Sequence, residues 1–210
     1  MKKLFLLMLL CLAPLAARAD SSAAQTPAAL PPQAIADLSR IEAYLNGLKN
    51  ISADFLQVDD AGGIMRGEIA ISRPGKMKVT YNTNKDFIIA DGSFVHIWDD
   101  QLQSQTNVEQ GTSLAEFILR DPVRLHGEVT VTKFRKWPTK LEVTLVQTDD
   151  PGAGSLTLVF EDKPLKLRQW KVIDPQGHET GVNLENMSEG MVFPSSTFVF
   201  VPPTFDKTSR

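Results

Sequence analysis

Residues 64 to 81, IMRGEIAISRPGKMKVTY, alternate between apolar and polar positions on either side of Pro74-Gly75, which predicts two amphipathic strands joined by a tight turn. In the first arm Ile69, Ile71 and Arg73 share one face, with Glu68, Ala70 and Ser72 on the other. In the second arm Met77, Val79 and Tyr81 oppose Lys76, Lys78 and Thr80. Arg73 is the exception, a permanent charge on the greasy face, and it needs a partner.

The period differs to the N-terminal side. From Gln33 to Asn50, Ile35, Leu38, Ile41, Leu45 and Leu48 recur every three or four residues, and Asp37 lies one helical turn from Arg40. This spacing predicts an amphipathic helix laid on a sheet. From Ile51 the period is two again. Candidate strands are 51–59, 64–73, 76–82, 86–91, 94–99, 102–108, 127–136, 139–148, 155–162, 165–174, 178–187 and 197–201, parted by turn pairs such as Gly62-Gly63, Asp91-Gly92 and Pro151-Gly152. Spacers this short between neighbours imply antiparallel pairing in one large curled sheet or open barrel. In strand 94–99 the alternation leaves two inner faces open, Phe94, His96 and Trp98 or Val95 and Ile97.

One break stands out. In GTSLAEFILRDP, Ser113 and Glu116 have capping-box spacing and Pro122 stops the helix. Leu114, Ala115, Phe117, Ile118 and Leu119 make it apolar over most of its circumference, so it must lie on an apolar surface. The concave side of the sheet supplies one.

The first 19 residues carry Lys2 and Lys3, an apolar run from Leu4 to Leu15 and Ala17-Arg18-Ala19, the order of a secretory signal cleaved after Ala19. The run is too short to span a bilayer, and Cys11 within it lacks the preceding small residues of a lipidation signal. Residues 20–32 read as a flexible leader, and 33–210 as a single domain of a soluble, unanchored, exported monomer. Removing the signal leaves 19 basic and 25 acidic residues, a formal charge of −6, which favours neither nucleic acid nor an anionic membrane. With no further cysteine, stability must come from packing.

Catalytic signatures are missing: no G-x-S-x-G elbow, no phosphate or dinucleotide loop, no H-E-x-x-H. His96, His126 and His178 have no metal-ligand spacing, and the pairs Asp59-Asp60, Asp99-Asp100 and Asp149-Asp150 sit at strand ends as turn carboxylates. No enzyme, metal or cofactor is expected.

The series Phe55-x-Gln57, then GEIAISRPGK, then IIADGS before an apolar strand, then FVFVPP, resembles the periplasmic outer-membrane lipoprotein carrier family, LolA, over roughly Gln33 to Pro203. The resemblance implies a mainly β protein with an α lid: an open, strongly curved antiparallel half-barrel covered by the N-terminal helix and short central helices. It implies a periplasmic carrier that takes the acyl chains of lipoproteins from an inner-membrane ABC transporter and passes them to an outer-membrane acceptor. On this reading Ile69, Ile71, Met77, Val79 and Tyr81 line the cavity from the sheet, and Leu38, Ile41, Leu45, Leu114, Phe117 and Ile118 from the lid. Arg73 is then the lid latch, bound to lid backbone when the carrier is empty. Val79 and His96 stand where relatives often carry aromatic residues, implying a wider or differently tuned cavity. Two other readings remain beside the carrier: a regulatory domain that senses lipids or lipoproteins, and a carrier of another lipid.

Overall fold

The computed structural model describes residues 32–111 and 113–203. The expected signal peptide, Cys11 and nearly all of the expected leader lie outside them. Helix α1 (Pro32–Gly47) opens on a proline, whose missing N–H costs nothing at a first helical position. It is followed by β1 (Asn50–Asp59), β2 (Ile64–Ser72), β3 (Lys76–Tyr81), β4 (Phe87–Asp91), β5 (Phe94–Asp99) and β6 (Ser104–Glu109). A short 3-10 helix, Leu114–Leu119, precedes β7 (Val129–Lys136), β8 (Lys140–Gln147), β9 (Ser155–Asp162), β10 (Leu165–Ile173) and β11 (Glu179–Glu189).

Among the described residues eleven strands form one antiparallel sheet in the order β6-β5-β4-β3-β2-β1-β11-β10-β9-β8-β7. The chain meanders outward from β1 to β6, crosses once, and meanders back from β7 to β11, which returns beside β1. The two edges, β6 and β7, are therefore consecutive in sequence, and the sheet stays open between them. Every link but one is a short turn. The exception, residues 110–128, joins one edge to the other and must cross the open side, carrying the short apolar helix with it. The topology itself thus puts a lid over the concave face.

The alternation read from sequence defines that face. Rows of paired residues run across the strands, Ile69 to Val79 to Ile88 to Ile97, and Ile71 to Met77 to Ala90 to Val95. Leu141, Val143, Leu145, Leu156, Leu158 and Phe160 continue the apolar surface on β8 and β9 and are all but inaccessible. Against it pack Ile41 and Leu45 of α1 and Leu114, Phe117 and Leu119 of the short helix, within one continuous core. Tyr44 sets its ring edge-on to Phe160 at 6.2 Å and its hydroxyl accepts from the Leu167 N–H at 3.1 Å.

Two expectations are corrected here. Residues 197–201 are not a strand: Ser195–Phe198 form a 3-10 turn and the following chain makes no ladder. The segment alternates because Phe198 is buried and Phe200 stands against Phe87 at 5.6 Å, while Val199 and Val201 point to solvent. Pro194, Pro202 and Pro203 bracket it and remove the donors that a sheet edge needs. The second concerns His96. Val95 and Ile97 take the inner face of β5, and His96 stacks on Phe200 at 4.9 Å on the convex side, outside the cavity.

Candidate functional site

Under the lid a cavity of about 130 Å³ remains over the β1–β5 half of the sheet. Ile69, Met77, Val79 and Tyr81, expected there, stand in its wall. The other expected residues do not. Ile71, Ile41, Leu45, Leu114, Phe117 and Ile118 are buried in the core and Leu38 packs against it, so the lid's apolar side chains fill the concave side themselves. The remaining wall includes Phe55, Gln57, Ile88, Val95 and Ile97 from the first meander. Trp170, Val172, Thr180 and Val182 come from β10 and β11, and Ser113, Ala115 and Glu116 from the lid. Period-two patterning identifies the β1 to β5 members, once the inner face of each strand is known. Nothing local places β10 and β11 opposite them, because that juxtaposition depends on β11 pairing with β1.

Arg73, directly after β2, is 8% exposed and reaches both parts of the lid. Nη2 donates to the Leu45 carbonyl in the last turn of α1, and Nη1 to the carbonyl of Arg120, which caps the short helix, at 3.4 Å. Carbonyls at the C-terminal end of a helix carry partial negative charge, so the guanidinium sits where a cation is stabilised. Burial pulls its pKa below the ordinary arginine value, opposed by the charge of Asp121 and by Tyr44. The same turn also makes backbone bonds: Arg73 N–H donates to the Lys49 carbonyl at 2.8 Å, extending the β1–β2 pairing, and Gly75 N–H binds the lid at the Leu119 carbonyl at 2.9 Å.

The two lid segments are also joined to each other. Asn46 spans Val123 with both ends of its amide, accepting from N–H at 2.8 Å and donating to the carbonyl at 2.9 Å. Glu42 accepts from the Leu125 N–H at 2.8 Å. At the opposite end of α1, Asp37 is 1% exposed and accepts from Arg40 at 2.7 Å and from Lys136 of β7 at 2.8 Å. Arg40 also meets Asp162 of β9 at 3.0 Å. Burial opposes ionisation of Asp37, but Lys136 and Arg40 outweigh it and hold the carboxyl below its ordinary value. Sequence spacing indicated the Arg40 contact; Lys136 lies 99 residues away and left no local sign.

Within the short helix the capping box is formed. Ser113 Oγ accepts from the Ala115 N–H, and Glu116 Oε2 accepts from the Gly111 N–H at 2.6 Å, with the Ser113 N–H also favouring the charged carboxylate. Glu116 is 7% exposed, and burial raises its pKa. Among the described residues no group of three His, Cys, Asp or Glu side chains is placed to hold a metal. None of the described helices is long and apolar enough to cross a membrane.

The family model described as "Outer membrane lipoprotein carrier protein LolA" matches residues 46–201. An outer-membrane lipoprotein carrier protein of Xanthomonas campestris is 26% identical over 176 residues, covering 77% of this chain and 82% of the relative. One from Chromobacterium violaceum is 25% identical over 186 residues, covering 83% and 87%. Among solved structures, a LolA superfamily protein from Nitrosomonas europaea is 7% identical with a TM-score of 0.46, covering 80% of this chain and 97% of that one.

Proposed function

The chain belongs to the LolA family of outer membrane lipoprotein carriers, and on that premise we propose that it is a periplasmic carrier that shields the acyl chains of lipoproteins and moves them between membranes. The supporting observation is the apolar cavity beneath a lid that the Arg73 turn holds down. Residues 1–19 would serve as the export signal and 33–210 as one carrier domain. The donor would be an inner-membrane ABC transporter and the acceptor an outer-membrane protein.

The cavity size decides how such a carrier works. Sites for drug-sized ligands measure about 300–1,000 Å³, so 130 Å³ does not admit a lipoprotein's acyl chains with the lid down. The lid's apolar side chains lie on the sheet, and on this reading that is the closed arrangement. Cargo must displace Phe117, Ile118, Ile41 and Leu45 from the sheet and take their place. A long acyl chain gains on the order of 10 kcal/mol from burial, at about 0.8 kcal/mol per methylene. Lifting the lid exposes apolar surface and separates Arg73 from two carbonyls, which offsets part of that gain and leaves an affinity low enough for release.

Purification of the protein from its own periplasm, followed by mass spectrometry of what accompanies it, tests the reading. Recovered acylated lipoprotein supports it; other lipids in the cavity, or none of either, argue against it.

A further inference from the structure

The cavity wall is apolar except at a few side chains, and most of these are satisfied within the protein. Tyr81 donates its hydroxyl to Gln57 Oε1 at 3.2 Å, and Ser113 Oγ is held by the Ala115 N–H. Glu116 differs. Oε2 accepts from the Gly111 N–H, while Oε1 is buried and has no hydrogen-bond partner among the described residues. The charged neighbour four residues on, Arg120, is occupied elsewhere: Nη1 meets Glu128 at 3.1 Å and the guanidinium lies over the Phe117 ring.

The capping box does not account for this oxygen. A box needs one acceptor reaching back to the N-cap N–H, and a glutamine supplies it equally well. A second carboxylate oxygen, buried beside an acyl cavity, is a group left without its hydrogen bond until something brings a donor. Ester carbonyls only accept and cannot complete an ionised carboxylate. A nitrogen bearing hydrogen can.

We propose that Glu116 Oε1 recognises a nitrogen-bound hydrogen on the cargo, the ammonium or amide N–H beside its acyl chains. The proposal rests on the carrier reading and narrows it: the site selects an acylated amino terminus over a lipid whose head carries only esters. Because Glu116 belongs to the lid, the contact forms with the part of the protein that must move when cargo enters.

The test uses the whole folded protein and three ligands of equal chain length: hexadecylammonium, N-methylpalmitamide and methyl palmitate. Each Kd is measured by displacement of a fluorescent acyl probe. A charge-assisted hydrogen bond in a desolvated site gives about a tenfold or greater preference for the nitrogen ligands over the ester. In Glu116→Leu that preference disappears, whatever common change in affinity the loss of the cap brings to all three ligands. Glu116→Gln keeps the acceptor and the cap, so the amide preference survives and that for ammonium falls. Stronger wild-type binding of the ammonium than of the amide identifies a free amino terminus as the source; the reverse identifies an N-acylated one.

Equal wild-type affinity for all three ligands overturns the proposal, as does equal weakening of all three in Glu116→Leu, the mark of a purely structural acid. If Glu116→Leu does not fold, the ammonium-to-ester ratio in Glu116→Gln decides alone, and an unchanged ratio overturns it. Failure of the wild type to bind any of the three removes the carrier reading itself, and this inference with it.

Discussion

The guanidinium of Arg73 donates to the carbonyl of Leu45, joining the end of β2 to the last turn of α1 across 28 residues of chain. Through Arg120 it holds the end of the short helix as well, so one side chain grips both halves of the lid at the ends of their helices. Neither contact survives lifting of the lid. On the proposed carrier reading they stabilise the closed lid against an open one.

Arg73→Leu is therefore expected to bind cargo more tightly and to release it more slowly. A hydrogen bond to a charged group is worth about 1.5–3 kcal/mol, so the closed-to-open balance shifts by about tenfold to a hundredfold. Release of a fluorescent acyl ligand to acceptor vesicles, followed for mutant and wild type, measures it; equal rates would leave Arg73 with a packing role only.

The far end of α1 has its own fastening. Asp37 is buried between Lys136 and Arg40, but both cations are more than a third exposed and can rehydrate when the acid is removed. Asp37→Asn should lower stability by about 1–3 kcal/mol, below what a fully buried pair costs. Hydrogen exchange should quicken in the first turns of α1 more than around Leu45, which Arg73 still holds. The folded-state pKa of Asp37 is depressed, so its contribution is present above the ordinary carboxylate range and lost as pH falls below it.

Most of the sheet was legible because one face is buried: alternation fixes which residues point inward, and turn pairs fix where strands end. The inward rows through Ile69 and Ile71 follow from that alone. Two things were not legible. An apolar helical stripe shows that Ile41 and Leu45 are covered but not by what, and a closed lid covers them with sheet instead of ligand. Likewise the alternation of residues 197–201 records burial against Phe87, which a chain can achieve without joining the ladder. The apolar pattern reports contact with a greasy surface, and hydrogen-bond partners have to be found otherwise.

Gly67 lies between Phe55 of β1 and Tyr81 of β3 in one row, and the two rings meet edge-on over it at 5.5 Å. A methyl group there would stand 1.9 Å from the Thr80 carbonyl oxygen and 2.8 Å from the Phe55 ring. The carbonyl belongs to the ladder and cannot step aside. Gly67→Ala should therefore cost about 3 kcal/mol or more, at the upper end of overpacking, and disturb the cavity wall that both rings form. Denaturant unfolding measures the loss; a change under about 1 kcal/mol would mean that the strands part locally with ease.

The turn at Asp91-Gly92 yields a pH dependence whose sign can be worked out. Asp91 Oδ1 accepts from the N–H groups of Ser93 at 2.8 Å and Phe94 at 2.9 Å, and Oδ2 lies 3.1 Å from His96 Nε2. The Phe94 and Ser93 bonds and His96 favour the charged form over the opposing cost of burial, and bring the pKa down to about 2 from 3.8. A carboxyl that is more acidic folded than unfolded binds fewer protons in the native state, so its contribution is full above 3.8 and disappears as pH falls through about 2. The side chain is 37% exposed, so solvent screens it and the effect on global stability is small. Two measurements follow: carboxyl NMR titration of Asp91 should give a midpoint near 2, and the stability gap between wild type and Asp91→Asn should close between pH 4 and pH 2. A gap that stays constant over that window would show that the turn does not depend on the carboxylate charge.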